Sequence, residues 1–377
     1  MRPLSDLPGF YRLAPEERLK VVAEFAALTS EEVRLLRSTG SLRLEEANRM
    51  IENVIGAIPV PLGIAVNFLI DGRDYLIPMA TEEPSIVAAA SNASKMARSS
   101  GGFFTDATDP VMMGQIQVVN MSDPNGGRIR VLASRDEILK TANDQDPLLL
   151  SLGGGAKDVN ARVIRTSMGP MLIVDLYVDC RDAMGANVVN TMSEAVAPIV
   201  ELITGGKVHL RIVSNLPTGR LARARVVVAK KALGGEKVVD GIISAYAFAA
   251  ADIYRCATHN KGIMNGMTAV ALATGNDTRA LEAGAHAYAA RSGKYSPLSV
   301  WEKNENKDLV GSIELPAPLG LIGGATAVHP ICKIALKILG IKSAVELGRV
   351  MAAVGLAQNL AALRALATEG IQKGHMK

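Results

Sequence analysis

The sequence predicts an α+β protein in which a large mixed α/β domain is interrupted by a small split-βαβ unit. Three observations lead there. At 377 residues and 49% hydrophobic content, the chain can bury a sizeable core and is long enough for two domains, or for one with a big insertion. From Met112 the texture changes to short runs in the order β-β-α-β-β-α-β, ending near Ser214; apart from its extra leading strand this is a split-βαβ order of roughly 100 residues. The flanks, 1–110 and 216–374, are left to form the larger, discontinuous domain around an insertion at 111–215.

The elements follow in order. Residues 15–56 read as helical; in the last of these helices Leu44, Ala47, Met50, Ile51 and Val54 recur at helical spacing, and Gly56 closes it. A hairpin comes next, 64–70 and 74–79 on either side of Asp71-Gly72, a dipeptide suited to a turn that needs positive φ. Glu82-Glu83-Pro84-Ser85 opens an alanine-rich helix to about Arg98, with Pro84 in its first turn. In the inserted unit a strand over 113–121 leads through a turn at 123–127 into a strand over 128–133. Ser134, with Glu137 three residues on, predicts a capping box. Two strands flank Met168-Gly169-Pro170, a helix runs from about Met184 to Ile203, and a strand covers 208–214.

Composition excludes several classes. A net charge of +4 from 41 basic and 37 acidic residues, with 4% aromatics, offers neither a phosphate-tracking groove nor a base-stacking platform, so no nucleic-acid partner is expected. Three widely spaced cysteines, Cys180, Cys256 and Cys332, fit reduced, buried thiols of a cytoplasmic protein. The start, Met1 to Pro8, carries charge and proline where a signal peptide needs an apolar run. The apolar stretch 241–251 falls short of the ~20 residues of a bilayer span and reads as a buried helix, so no membrane association is expected.

Two glycine-bracketed polar clusters, His259 to Gly266 and Thr274-Gly275-Asn276-Asp277, read as loops that bring Lys261 and Asp277 within reach of each other. An ammonium held by a carboxylate can polarise a carbonyl oxygen during hydride or nucleophilic attack; the competing reading is a solvated ion pair. Glu83 stands at a helix start, where the dipole favours its ionised form, so a general-acid role requires burial or a second carboxylate. No Gly-x-Gly-x-x-Gly follows a strand, but Asp182-Ala183-Met184-Gly185-Ala186-Asn187 lets the backbone approach a pyrophosphate at a helix N-terminus, or is a plain strand-to-helix turn. Ser151 to Gly155 reads as a mobile connection, and Arg220, Arg223 and Arg225 with Lys230 and Lys231 as a solvated strand edge. His329 behind Gly323-Gly324 reads as a satisfied histidine; no second ligand stands at metal spacing, so no metal is expected. His375, by itself, reads as a frayed terminal residue.

Taken together and in this order, Glu52 to Gly56, Glu82 to Ser91, Asp182 to Asn187, the lysine and aspartate clusters, Gly323 to Thr326 and Gly370 to Met376 resemble one family over nearly the whole chain. That family is hydroxymethylglutaryl-CoA reductase of the shorter bacterial and archaeal type, class II. The resemblance implies reduction of HMG-CoA to mevalonate and CoA by two NAD(P)H, through a hemithioacetal and mevaldehyde, or the reverse oxidation. It implies that the inserted unit is a ferredoxin-like, non-Rossmann NAD-binding domain. It gives Lys261 the role of cation on the substrate carbonyl, Glu83 that of proton donor, Asp277 that of the partner tuning both, and His375 that of the acid for the departing CoA thiolate. By the same matching, Ser85, Arg255 and Asn265 hold the hydroxymethylglutaryl group, with Gln358 and Asn359 beside the substrate or its CoA arm.

Asp182, Met184, Gly185, Asn187 and Asn215 would line the nicotinamide cofactor, and Asp146 falls where members select it. A carboxylate there accepts hydrogen bonds from a ribose 2′-hydroxyl and repels a 2′-phosphate, which predicts NAD over NADP. The resemblance further implies a homodimer with interfacial active sites, often built into a hexamer, and makes 375–377 the start of a C-terminal flap that is otherwise absent, either cut from the given sequence or lost. An arginine that relatives use near the CoA phosphates is displaced by one position, Tyr11 preceding Arg12. The alternative is a catalytically silent CoA- or NAD-binding protein, against which the lysine, aspartate, glutamate and histidine set argues.

Overall fold

Helices α1 (Pro15–Ala26), α2 (Ser30–Arg37) and α3 (Leu44–Ala47) lead the chain. The first two are set by acidic first turns, and at α2 Thr29 and Glu32 exchange the two bonds of a capping box. The periodic run after Leu44 does not continue as a helix. With Asn53 in the left-handed region and Leu44 and Ile51 of the stripe exposed, residues 48–61 take no regular form and leave Ile55 and Ile58 almost fully exposed. Periodicity alone does not offset helix nucleation where the apolar face is only partly buried.

The hairpin forms as expected, β1 (Leu62–Ile70) against β2 (Arg73–Ala80), with Asp71 and Gly72 both at positive φ. Helix α4 (Ile86–Arg98) begins two residues later than Pro84 suggested, because Ser85 sits at φ 72° as its N-cap and leaves Glu82 to Pro84 outside it. Strand β3 (Phe103–Ala107) returns to the sheet.

The inserted stretch comprises β4 (Val111–Val119), α5 (Pro124–Ala133), α6 (Arg135–Asn143), α7 (Pro147–Ser151), β5 (Gly155–Thr166), β6 (Gly169–Asp179), α8 (Ala186–Thr204) and β7 (Lys207–Val213). Its four strands form one antiparallel sheet in the order β5-β6-β4-β7 around its own apolar cluster. The strand expected over 128–133 is helical. Asp123 caps α5 by accepting from Gly126 N at 2.8 Å, and Pro124 occupies its first position, so the supposed turn signal is a helix start. Removing that strand leaves the plain β-α-β-β-α-β order. Ser134 is only the junction of α5 and α6 and makes no side-chain cap. The glycine run after Ser151 is packed: a Cβ on Gly154 would lie 2.6 Å from Leu149 and 2.8 Å from the Asp179 carbonyl.

The chain then adds β8 (Leu221–Val228), α9 (Lys230–Leu233), α10 (Glu236–Ala251), α11 (Ile253–Ala273), α12 (Thr278–Ala289), β9 (Ser299–Lys303), β10 (Leu309–Pro316), α13 (Gly324–Val328), α14 (Pro330–Leu339) and α15 (Ala344–Ala367). The larger sheet runs β2-β1-β3-β8-β10-β9. Helices α4, α10, α11 and α15 pack into the main apolar cluster with it. Helix α10 is half-buried rather than buried, with Phe248 exposed. The longest apolar helix is α15, long and apolar enough to cross a membrane by length and composition, yet mostly buried within the protein. The protein's structure, a computed structural model, describes residues 4–368 and Gly370.

Candidate active site

Asp252 starts α11 by accepting from Arg255 N at 2.7 Å. The cluster around Lys261, expected as a loop, lies in the middle of this helix. Of its two glycines, Gly262 faces open space and Gly266 serves close packing: a Cβ on Gly266 would lie 3.1 Å from Gln358 and Val354 of α15, and one on Gly355 of α15 would lie 3.0 Å from Met267. Lys261 and Asn265, four residues apart, share a helix face. Lys261 Nζ lies 2.8 Å from Glu83 Oε2, and Asn265 Nδ2 donates to Glu83 Oε1 at 3.4 Å. Glu83 is held in turn by its own N–H, which donates to Thr81 Oγ1 at 3.2 Å. Beside it, Ser85 is held at positive φ, a conformation unfavourable to any side chain, and its hydroxyl makes no cap bond.

Asp277 is elsewhere. It caps α12, accepting from Arg279 N and Ala280 N, and pairs with Arg279 at 3.3 Å. Twelve residues of helix separate Lys261 from Ala273, about 18 Å at 1.5 Å per residue, more than a lysine side chain can span. Within one chain, then, the lysine and aspartate are not within reach. In the same single chain the pair is open to water, with Lys261 58% and Glu83 39% exposed at the side chain.

Of the other expected site residues, Arg255 lies half-buried in the first turn of α11. Asn359 is buried and accepts from Ser299 Oγ (2.8 Å) and Trp301 Nε1 (2.7 Å). Gln358 is buried, its Oε1 without a partner among the described residues. Arg12 is bound to its neighbour Tyr11. His375 lies outside the described residues. The turn 180–185 leaves β6 beside α7: Asp146 caps α7 through Leu149 N (2.8 Å), and Arg181 binds the Gly153 carbonyl. Asp182 Oδ1 accepts from Ala344 N (2.7 Å), Gly185 is the left-handed N-cap of α8, and Asn187 and Asn215 are exposed.

The three cysteines are free and buried, as expected, and His329 caps α14 through Ile331 N. Arg220, expected on a solvated edge, is instead 4% exposed, while Arg223 pairs with Glu314 and Asp106.

A polar network that the sequence reading passed over lies behind the lysine: His259 Nε2 meets Ser299 Oγ at 2.8 Å, and Ser299 continues to Asn359. Burial pushes the His259 pKa down to about 4 from 6.5, helped by Arg255. The folded value is below the unfolded one, so the stability held by the neutral ring is complete above pH 6.5 and is lost as pH falls from there through about 4. Urea midpoints should drop between pH 7 and pH 5 in the parent, and His259→Gln should flatten that slope; an equal slope in both proteins would contradict this.

Fold and site together define a class: a mixed α/β body with a separate four-stranded antiparallel sheet, carrying a lysine–glutamate pair whose ammonium can polarise a carbonyl oxygen. Comparison with known proteins specifies it. The chain matches the family profile described as hydroxymethylglutaryl-coenzyme A reductase over residues 14–377. It is 64% identical over 373 residues to the 3-hydroxy-3-methylglutaryl-coenzyme A reductase of Archaeoglobus fulgidus, covering 99% of this chain and 85% of that one. It is 39% identical to a probable reductase of Borreliella burgdorferi, over 87% of this chain and 76% of that one. Among solved structures, the class II reductase of Streptococcus pneumoniae bound to NADPH in open conformations superposes with a TM-score of 0.93 at 38% identity, over 96% and 99% of the two chains. The chain belongs to the hydroxymethylglutaryl-coenzyme A reductase family.

Proposed function

We propose that this protein interconverts HMG-CoA and mevalonate plus CoA, using two NAD(P)H in succession at the Glu83–Lys261–Asn265 cluster. The observation that carries the reading is the Lys261–Glu83 pair at 2.8 Å, beside the strained Ser85. Each of the two reduced nicotinamides, bound in succession, would supply one hydride. Each addition to a carbonyl carbon leaves an oxyanion that the Lys261 ammonium stabilises, with Glu83 as the proton source once a second carboxylate, the Asp277 assigned below to the partner's site, stands beside it. Collapse of the hemithioacetal expels a thiolate, which His375 protonates. Ser85, Arg255 and Asn265 orient the hydroxymethylglutaryl end, arginine's two-pronged fork suiting a terminal carboxylate. Gln358, with its unpartnered oxygen, stays a candidate for the CoA arm. Asn359 is read differently, as support for α15 through Ser299 and Trp301.

The site is completed by a second copy. Asp277 cannot reach the Lys261 of its own chain, an open ion pair in water is weak, and α11 begins beside exposed Phe248, Ile253 and Tyr254, apolar surface suited to a partner. We therefore assign Asp277 to the partner's site in a homodimer, which closer assembly can extend to a hexamer. Residues 111–215 form the small domain, around 1–110 and 216–374. The free, buried thiols support a cytoplasmic setting.

The residues fit a dinucleotide. Gly185, itself buried, leaves the first turn of α8 without a side-chain cap, so that no side chain takes the N–H groups a pyrophosphate would use, and α7 brings Asp146 to the same end of the small sheet. Asp146 selects NAD over NADP through its second, uncapped oxygen. Asp146→Ser should raise kcat/KM for NADPH relative to NADH on the order of tenfold or more; an unchanged ratio from steady-state rates with each cofactor would remove Asp146 from specificity.

A further inference from the structure

Arg220 stands directly before β8, buried to 4% exposure, and no carboxylate lies within ion-pair distance of it among the described residues. Its fork is spent on backbone carbonyls: Nη1 donates to Ala183 O (3.0 Å) and Met184 O (2.9 Å), and Nη2 to Leu319 O. Burial lowers its pKa to about 10, opposed by Cys180, Asp179 and Asp182, so it stays cationic at neutral pH. Around it the turn after β6 is stitched to the segment after β10. Leu321 N donates to Asp182 O at 2.8 Å, Ala183 bridges Ile322, and a Cβ on Gly320 would lie 2.6 Å from Met184 N.

A buried cation is no economical way to hold a fold, since a well-packed apolar residue commonly stabilises as much or more. A guanidinium does supply direction, fixing two adjacent carbonyls of one turn against a third from another segment. In a trans peptide the N–H points opposite to the C=O. Drawing the Met184 carbonyl inward therefore turns the Gly185 N–H away from Arg220, and removes an oxygen that would repel an anion from the start of α8.

We propose that Arg220 is a positioning residue for the nicotinamide cofactor, locking the Ala183-Met184 carbonyls so that Gly185 and the first turn of α8 meet the pyrophosphate. This rests on the reading that residues 182–187 line the cofactor. The test is binding of NADH and NADPH to the whole chain without turnover, followed by the fluorescence of the reduced nicotinamide, alongside HMG-CoA binding by calorimetry.

Arg220→Met, and Gly320→Ala as an independent disturbance of the same seam, should raise the cofactor Kd at least tenfold and leave the HMG-CoA Kd unchanged. Parent-like cofactor binding in a folded Arg220→Met, or an equal loss of both ligands, overturns the proposal. If that variant does not fold, parent-like cofactor binding by Gly320→Ala does so instead. Gly185→Ala, whose Cβ would lie 2.5 Å from Cys180 Sγ, tests the underlying reading: should it bind cofactor normally, the turn is not the cofactor site at all.

Discussion

Lys261→Ala should abolish both reductive steps, lowering kcat by about 10³-fold or more with HMG-CoA binding largely kept. The same ammonium faces the thioester oxyanion in the first hydride transfer and the aldehyde oxyanion in the second, so neither step survives its loss. Its contribution rises as the site closes, because an ion pair that is more than a third exposed in one chain becomes far stronger where water is excluded. Rates of NAD(P)H oxidation with HMG-CoA, and separately with mevaldehyde, give the comparison. Loss of thioester reduction with mevaldehyde reduction intact would show that a different cation serves the second step, and the shared role given to Lys261 would be wrong.

Mixing two inactive proteins should restore activity. If Lys261 of one chain works with Asp277 of its partner, a dimer of Lys261→Ala with Asp277→Asn contains one site with both substitutions and one site with neither. Random reassortment then gives about a quarter of the parent activity. A site built within one chain would leave every site in every mixture with a substitution, and the mixture as inactive as its components. The geometry already points one way, since Asp277 caps α12 at the far end of the helix that carries Lys261.

Local chemistry was legible where a single short signal decides the backbone. Asp71-Gly72 predicts its hairpin because the turn needs positive φ, and the strands on either side of Gly169 and the helix after Gly185 stand where expected. The same turn chemistry misled at Asp123-Pro124, where an N-cap and a first-turn proline share the residues of a turn. Around Lys261, glycine and asparagine suggested a loop, whereas in the structure glycine permits the close approach of α11 and α15, a tertiary demand no local pattern displays. That misreading placed Lys261 and Asp277 together in one chain. Arg220 looked like one member of a basic edge because its burial depends on a turn nearly 40 residues earlier and a carbonyl nearly 100 residues later. The family resemblance, by contrast, depended on short motifs in a fixed order, and the comparisons agree with it.

The most direct test of the central reading is the stoichiometry of the complete reaction, with absorbance at 340 nm followed for limiting HMG-CoA and excess NADH or NADPH. The account predicts two reduced nicotinamides consumed for each thioester, with mevalonate and free CoA as products and no such turnover by Lys261→Ala. One equivalent consumed, or CoA released without nicotinamide oxidation, would contradict a double reduction at this site.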